Sequence, residues 1–176
     1  VYKRQLLFLR KGMRWSDGAP FTADDFVFWF NEVYTVKDLV PVPVPELSIN
    51  GKPGRISKID ETTVAFDFDE PYFLFPRLLA GDTQIGGGQS RLQSDGREFG
   101  PYAPAHYLRR FLPASSSVDA ANAEAKAVGY SNWAEHFRVK SDWRLNKDVP
   151  TIAAWKMVQP ITGQVWLLER NAYYYV

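Results

Sequence analysis

The most constraining feature of this chain is the run from Leu7 to Phe26, where an apolar segment, a tight turn and a helix start follow without a gap. Residues 2–10 are rich in apolar and aromatic side chains with no breaker, and predict a strand. Trp15-Ser16-Asp17-Gly18 is turn chemistry, because Asp starts a turn and Gly tolerates positive φ. Thr22-Ala23-Asp24-Asp25 then opens a helix. The Thr22 hydroxyl can accept from the N3 amide, and both carboxylates sit where the helix dipole favours negative charge. Phe21 and Phe26 are spaced to staple that end. The helix is expected over roughly residues 23–35, with Phe26, Trp29, Phe30 and Val33 inward and Phe28 outside that stripe.

Downstream, Val40-Pro41-Val42-Pro43-Val44-Pro45 is incompatible with a helix interior and predicts an extended segment. Residues 55–60 and 63–69 predict a hairpin about Asp60-Glu61-Thr62. In its second strand Val64, Phe66 and Phe68 alternate with Ala65, Asp67 and Asp69, as in a half-buried strand. Pro71 is expected to open a short helix through Leu79, stopped by Gly81. Residues 82–100, with Gly86-Gly87-Gly88, predict a surface loop. Short helices are expected near 104–111, 118–128 and 131–138, and a closing strand pair at 153–159 and 164–170. Val165, Trp166, Leu167 and Leu168 are apolar on both faces of that last strand, so it should be covered on both sides. The mixture predicts an α+β fold with a mixed or antiparallel sheet and flanking helices, formed by residues 1–176 as one domain.

Composition excludes several classes of function. Forty-five per cent hydrophobic and 15% aromatic residues argue against disorder. A net charge of +1 without a Lys/Arg block lacks the footprint of nucleic-acid binding. No apolar run approaches the roughly 18–20 residues of a membrane span. Without cysteine there is no disulfide, thiolate metal site or cysteine nucleophile.

Catalytic and cofactor motifs are also missing. His106 and His136 have no local metal-ligand spacing and read as ordinary surface or partly buried histidines. Gly86-Gly87-Gly88 is not followed by the Lys-Ser/Thr of a phosphate loop. Asp24 and Asp25 are explained by capping. Asp67 and Asp69 suggest a glycosidase pair, but both fall on the solvent side of one predicted strand. No cofactor or metal is expected. The positive signal is aromatic, since six Trp and nine Tyr exceed what a core this size needs. Trp15, Trp29 and Trp166 lie in patterned elements and are expected in the core. Trp133, Trp143 and Trp155 lie in or beside less regular segments and are the candidate ligand-binding residues.

Four segments resemble the family 5 extracellular solute-binding proteins. The most specific is Leu7-Phe8-Leu9-Arg10-Lys11-Gly12-Met13-Arg14-Trp15-Ser16-Asp17-Gly18-Ala19-Pro20-Phe21-Thr22-Ala23-Asp24-Asp25-Phe26-Val27. Val64-Ala65-Phe66-Asp67-Phe68-Asp69-Glu70-Pro71-Tyr72 and Pro104-Ala105-His106-Tyr107-Leu108 are similar to two further family segments. Glu169-Arg170-Asn171-Ala172-Tyr173-Tyr174-Tyr175-Val176 is similar to a fourth, with Ala172 in place of the usual Pro and Tyr175 of the usual Trp. Residues 113–155 look like a helical insertion carried by a subgroup.

The resemblance implies a two-lobed binding protein that captures a small solute outside the cytoplasm and delivers it to an ABC transporter permease, without catalysis. Short peptides are the expected solute and oligosaccharides the alternative. The implied location is the periplasm or a cell-surface lipoprotein. Residues 1–176 would be part of the N-terminal lobe, in keeping with an opening on Val1 that has no Met or leader. A role in partner binding through an exposed apolar patch is a further expectation to check.

Overall fold

The computed structural model describes residues 3–92, 100–113 and 117–174. Tyr2 of the first predicted strand, part of the 82–100 loop, the start of the 113–155 segment and Tyr175 lie outside them. Strand β1 (Arg4–Phe8) is followed by the predicted turn, with Gly18 at φ 89° and the Gly18 amide donating to the Trp15 carbonyl at 2.9 Å. Helix α1 (Ala23–Phe28) then begins on a capping box in which Asp24 N donates to Thr22 Oγ1 and Thr22 N to Asp25 Oδ2. The staple forms as well, with the Phe21 and Phe26 rings 5.8 Å apart.

The predicted helix over 23–35 is α-helical only to Phe28. It widens into π-type turns over Trp29–Tyr34, where Thr35 N reaches back to Phe30 O. Phe28 is not outside the buried stripe but fully buried, with the Arg109 guanidinium 5.1 Å over its ring. After the proline segment a small hairpin pairs β2 (Ser48–Ile49) with β3 (Lys52–Pro53). Its turn, Asn50-Gly51, has positive φ at both residues, the geometry that suits a two-residue hairpin turn.

The hairpin of β4 (Arg55–Asp60) and β5 (Thr63–Asp67) forms about the predicted turn, where Asp60 accepts from Thr62 N at 2.8 Å. Strands β1, β5 and β4 form an antiparallel sheet in that order. Thr63, Val64, Ala65 and Phe66 are all buried, so both faces of β5 are covered and the half-buried alternation expected for this strand does not hold. Helix α2 (Phe75–Ala80) starts four residues later than Pro71 and ends at Gly81 as expected.

Helices α3 (Ala105–Leu108, continuing as a 3-10 turn to Phe111), α4 (Val118–Ala127) and α5 (Trp133–Ser141) match the three predicted segments. The closing pair is shorter than predicted. β6 (Trp155–Met157) and β7 (Leu168–Arg170) make a two-stranded ribbon separate from the main sheet. The apolar run before and into β7 is not covered on both faces, with Val165 71% and Trp166 61% exposed, so Trp166 is not a core residue. The fold is nevertheless α+β with antiparallel sheets and flanking helices.

Trp15 and Trp29, together with Phe28, Phe66, Phe75 and Phe137, are fully buried and join the sheet to the helices. Burying one such side chain contributes about 1.5–3 kcal/mol. Asp25 ties the layers together at the start of α1. Its carboxylate accepts from Thr22 N, from the Trp15 indole at 3.1 Å and from Ala105 N at 3.1 Å, which fastens α3 to α1. Burial pushes its carboxyl pKa up, against the lowering effect of those three hydrogen bonds.

Candidate functional site

Three segments wall a cavity of about 640 Å³: the loop after α2, the connection from α5 to β6, and the ribbon itself. The loop is held at its start by Thr83, whose hydroxyl donates to Leu78 O at 2.7 Å and accepts from Gly86 N at 2.9 Å. Gly86 packs so close that a Cβ there would run into the Gly81 carbonyl oxygen. At its other end Ser90 accepts from the Trp29 indole at 2.9 Å, and Ser90 N donates to Tyr102 O. Between them Gln89 donates through Nε2 to Pro150 O at 2.8 Å, and its buried Oε1 has no partner among the described residues. The loop is therefore anchored at three points, and is not the free surface loop its composition suggests.

The second wall is built on Asp142, which is buried and forked by Arg144 at 2.7 and 3.0 Å. That pairing raises the Arg144 pKa above its ordinary value. Asn146, also buried, donates to Tyr107 Oη and Lys140 O at 2.8 Å each. The ribbon is fastened through Asn171. Its amide nitrogen donates to Thr151 O and Ala153 O, and its backbone N–H donates to Ala154 O at 2.9 Å. Thr151 and Ser16 exchange two hydrogen bonds, which joins this wall to the turn that follows β1.

Trp143 and Trp155 both line this cavity, Trp143 half-buried and Trp155 57% exposed. The Arg91 guanidinium lies 5.6 Å over the Trp143 ring, and burial lowers the Arg91 pKa. Trp133 is placed elsewhere. It is 4% exposed, belongs to the core, and its backbone N–H donates to Asn122 Oδ1 at 3.0 Å. Asp82, Gln84, Gln89, Arg91, Lys147 and Lys156 add to the polar lining. A single sequence carried no signal for them, because polar residues in a glycine-containing loop read as solvated. The arrangement puts two indole side chains and several donors and acceptors on one cavity, the combination that small-molecule sites use.

The residues weighed for catalysis lie outside the cavity. Asp67 is forked by Arg4 at 2.6 and 3.0 Å, and Asp69 faces Arg55 and Lys52 at 3.6 and 3.8 Å. His106 pairs with Asp17 at 2.8 Å on the surface, and His136 stacks on Tyr130 at 4.6 Å. Among the described residues no group of three or more acidic or histidine side chains is placed to hold a metal ion.

The sequence over residues 6–176 matches the family described as bacterial extracellular solute-binding proteins, family 5 middle. A probable ABC transporter-binding protein of Deinococcus radiodurans is 37% identical over 83 residues, 45% of this chain and 13% of the relative. A periplasmic alpha-galactoside-binding protein of Rhizobium meliloti is 24% identical over 173 residues, 98% of this chain and 21% of the relative. Among solved structures, the oligopeptide-binding protein OppA superposes with a TM-score of 0.77 at 32% identity, over 99% of this chain and 24% of that one. The chain thus spans a quarter or less of the length of each protein it matches here.

Proposed function

The chain belongs to the bacterial extracellular solute-binding proteins of family 5, and on that premise we propose that residues 1–176 supply one wall of a solute-binding cleft. The cavity between Trp143 and Trp155 carries this reading. In it, Trp143 and Trp155 stack against the solute while Gln89, Gln84 and Arg91 orient it. The bound solute is a short peptide, captured outside the cytoplasm and released unchanged to an ABC transporter permease. The protein performs no chemistry. Residues 1–176 form one domain within the N-terminal lobe, and residues 113–155 are its helical insertion.

Such a cleft gains affinity by enclosing the ligand from two sides. The chain alone should therefore bind weakly, and the full-length polypeptide that carries it should bind tightly. Titration calorimetry of both forms with pentaalanine tests this. Tight binding by residues 1–176 alone would remove the two-walled cleft. An oligosaccharide is the second reading, favoured by two indole faces of the kind on which sugar rings stack. The same titration with the α-galactoside stachyose separates the two.

A further inference from the structure

Among the described residues, an Asn or Asp stands immediately before glycine at two turns, Asp17-Gly18 and Asn50-Gly51. Such a pair can react with itself, the glycine nitrogen attacking the side-chain carbonyl carbon to close a cyclic succinimide. Glycine suits the attack because no Cβ hinders its nitrogen. At Asp17-Gly18 the fold blocks it. The Gly18 N–H donates to Trp15 O at 2.9 Å, and Asp17 accepts from Ala19 N at 3.1 Å and pairs with His106 at 2.8 Å. Tyr173 Oη covers the same spot, 3.0 Å from where a Gly18 Cβ would stand.

Asn50-Gly51 is held far less. Both residues are exposed, at φ 49° and 74° in the turn between β2 and β3. Among the described residues the Gly51 N–H donates to no group, and a Cβ built there would meet no atom within 4 Å. The Asn50 carboxamide is anchored through Nδ2, which donates to Glu70 Oε2 at 2.7 Å. That bond lies at the surface, where exchange for water costs little and frees the side chain to turn toward the Gly51 nitrogen.

We propose that Asn50 is a site of self-modification, which the turn converts to aspartate and isoaspartate without an enzyme. The Gly51 nitrogen bonds to Asn50 Cγ as its proton leaves for water. The Cγ–Nδ2 bond then breaks, and Nδ2 takes up a proton and departs as ammonia. Water opens the succinimide at either carbonyl, giving aspartate or isoaspartate. No oxidant or cofactor enters, since an amide and water become a carboxylate and ammonium. In both products the donor to Glu70 is gone and a carboxylate stands in the turn instead. A hydrogen-bonded pair becomes a pair of like charges, which disfavours their approach. The clasp between the β2–β3 turn and Glu70, just beyond β5, is thereby released.

The test incubates the full-length polypeptide at neutral and mildly alkaline pH, folded and in urea, and follows its proteolytic peptides by chromatography and mass spectrometry. In the folded protein the Asn50 peptide should show the mass change of an amide turned acid and split into two products, faster at the higher pH. Asp17 should yield no isoaspartate there, but should yield it in urea, where its hydrogen bonds are gone. Gly51→Ala should abolish conversion at Asn50 in the folded protein. Release of the clasp is read in Asn50→Asp by amide exchange, which should quicken across β2 and β3 and stay unchanged in β4 and β5. Folded Asn50 that stays unconverted, or isoaspartate at Asp17 formed as fast folded as in urea, would overturn the site. Unchanged exchange in Asn50→Asp would overturn the release.

Discussion

Removing the Asp25 carboxylate should loosen the junction between α1, α3 and the Trp15 turn, and the structure sets the size of the effect. The side chain is 4% exposed and accepts three hydrogen bonds, from Thr22 N at 3.0 Å and from the Trp15 indole and Ala105 N at 3.1 Å each. In Asp25→Ala all three donors lose their acceptor. Thr22 N lies near the surface and can turn to water. The Trp15 and Ala105 donors are buried, and a buried donor left unsatisfied costs about 1–3 kcal/mol. Loss of an N-cap partner adds about 1 kcal/mol, while removing a buried charge returns part of the total. A net loss of about 2–5 kcal/mol follows. For a chain of this length that lowers Tm by about 4–20 °C.

Asp25→Asn retains one carbonyl oxygen and should lose about 1–2 kcal/mol, because its amide group must face a donor. Urea unfolding followed by tryptophan emission measures both variants. A loss below about 0.5 kcal/mol in Asp25→Ala would refute the claim that this carboxylate fastens the layers.

The same residue makes a pH prediction. Its folded pKa is raised by burial, so its contribution to stability is fully present below the unfolded value and is lost as pH rises through the folded one. The urea midpoint of the unaltered chain should therefore show that decline, and Asp25→Asn should lack it in a pH series. Asn171→Ala, which removes two hydrogen bonds to the 151–153 segment, should speed amide exchange in the ribbon while leaving β4 and β5 protected. The two classes of Trp should separate. Trp133→Ala should destabilise by about 3–5 kcal/mol, whereas exposed Trp155→Ala should leave Tm nearly unchanged and weaken peptide binding about tenfold.

Elements whose formation depends on near neighbours in the chain were legible. The turn at Trp15–Gly18, the capping box on Thr22 and the hairpin about Asp60–Thr62 each follow from local hydrogen bonding, and the structure contains them. Burial was legible only where one partner element decides it. Strand β5 is buried on both faces by elements packed over the sheet, α1 among them, which its own alternation could not express. Val165 and Trp166 err in the opposite direction, being apolar on both faces yet exposed. Two of the three candidate tryptophans line the cavity, and Trp133 does not. Its place is decided by the packing of α5 against α4 and α3, which sequence spacing does not reveal. The loop from Asp82 to Arg91 was least legible, because its anchors, Trp29, Tyr102 and Pro150, are distant in sequence.

The central claim is that Trp143 and Trp155 face a solute that is bound and released unchanged. Calorimetry of the full-length polypeptide with pentaalanine and stachyose, with chromatography of the recovered ligand, tests it most directly. The account predicts saturable binding of intact peptide, weakened about tenfold by Trp143→Ala and by Trp155→Ala. Binding indifferent to both substitutions, or recovery of cleaved ligand, would contradict it.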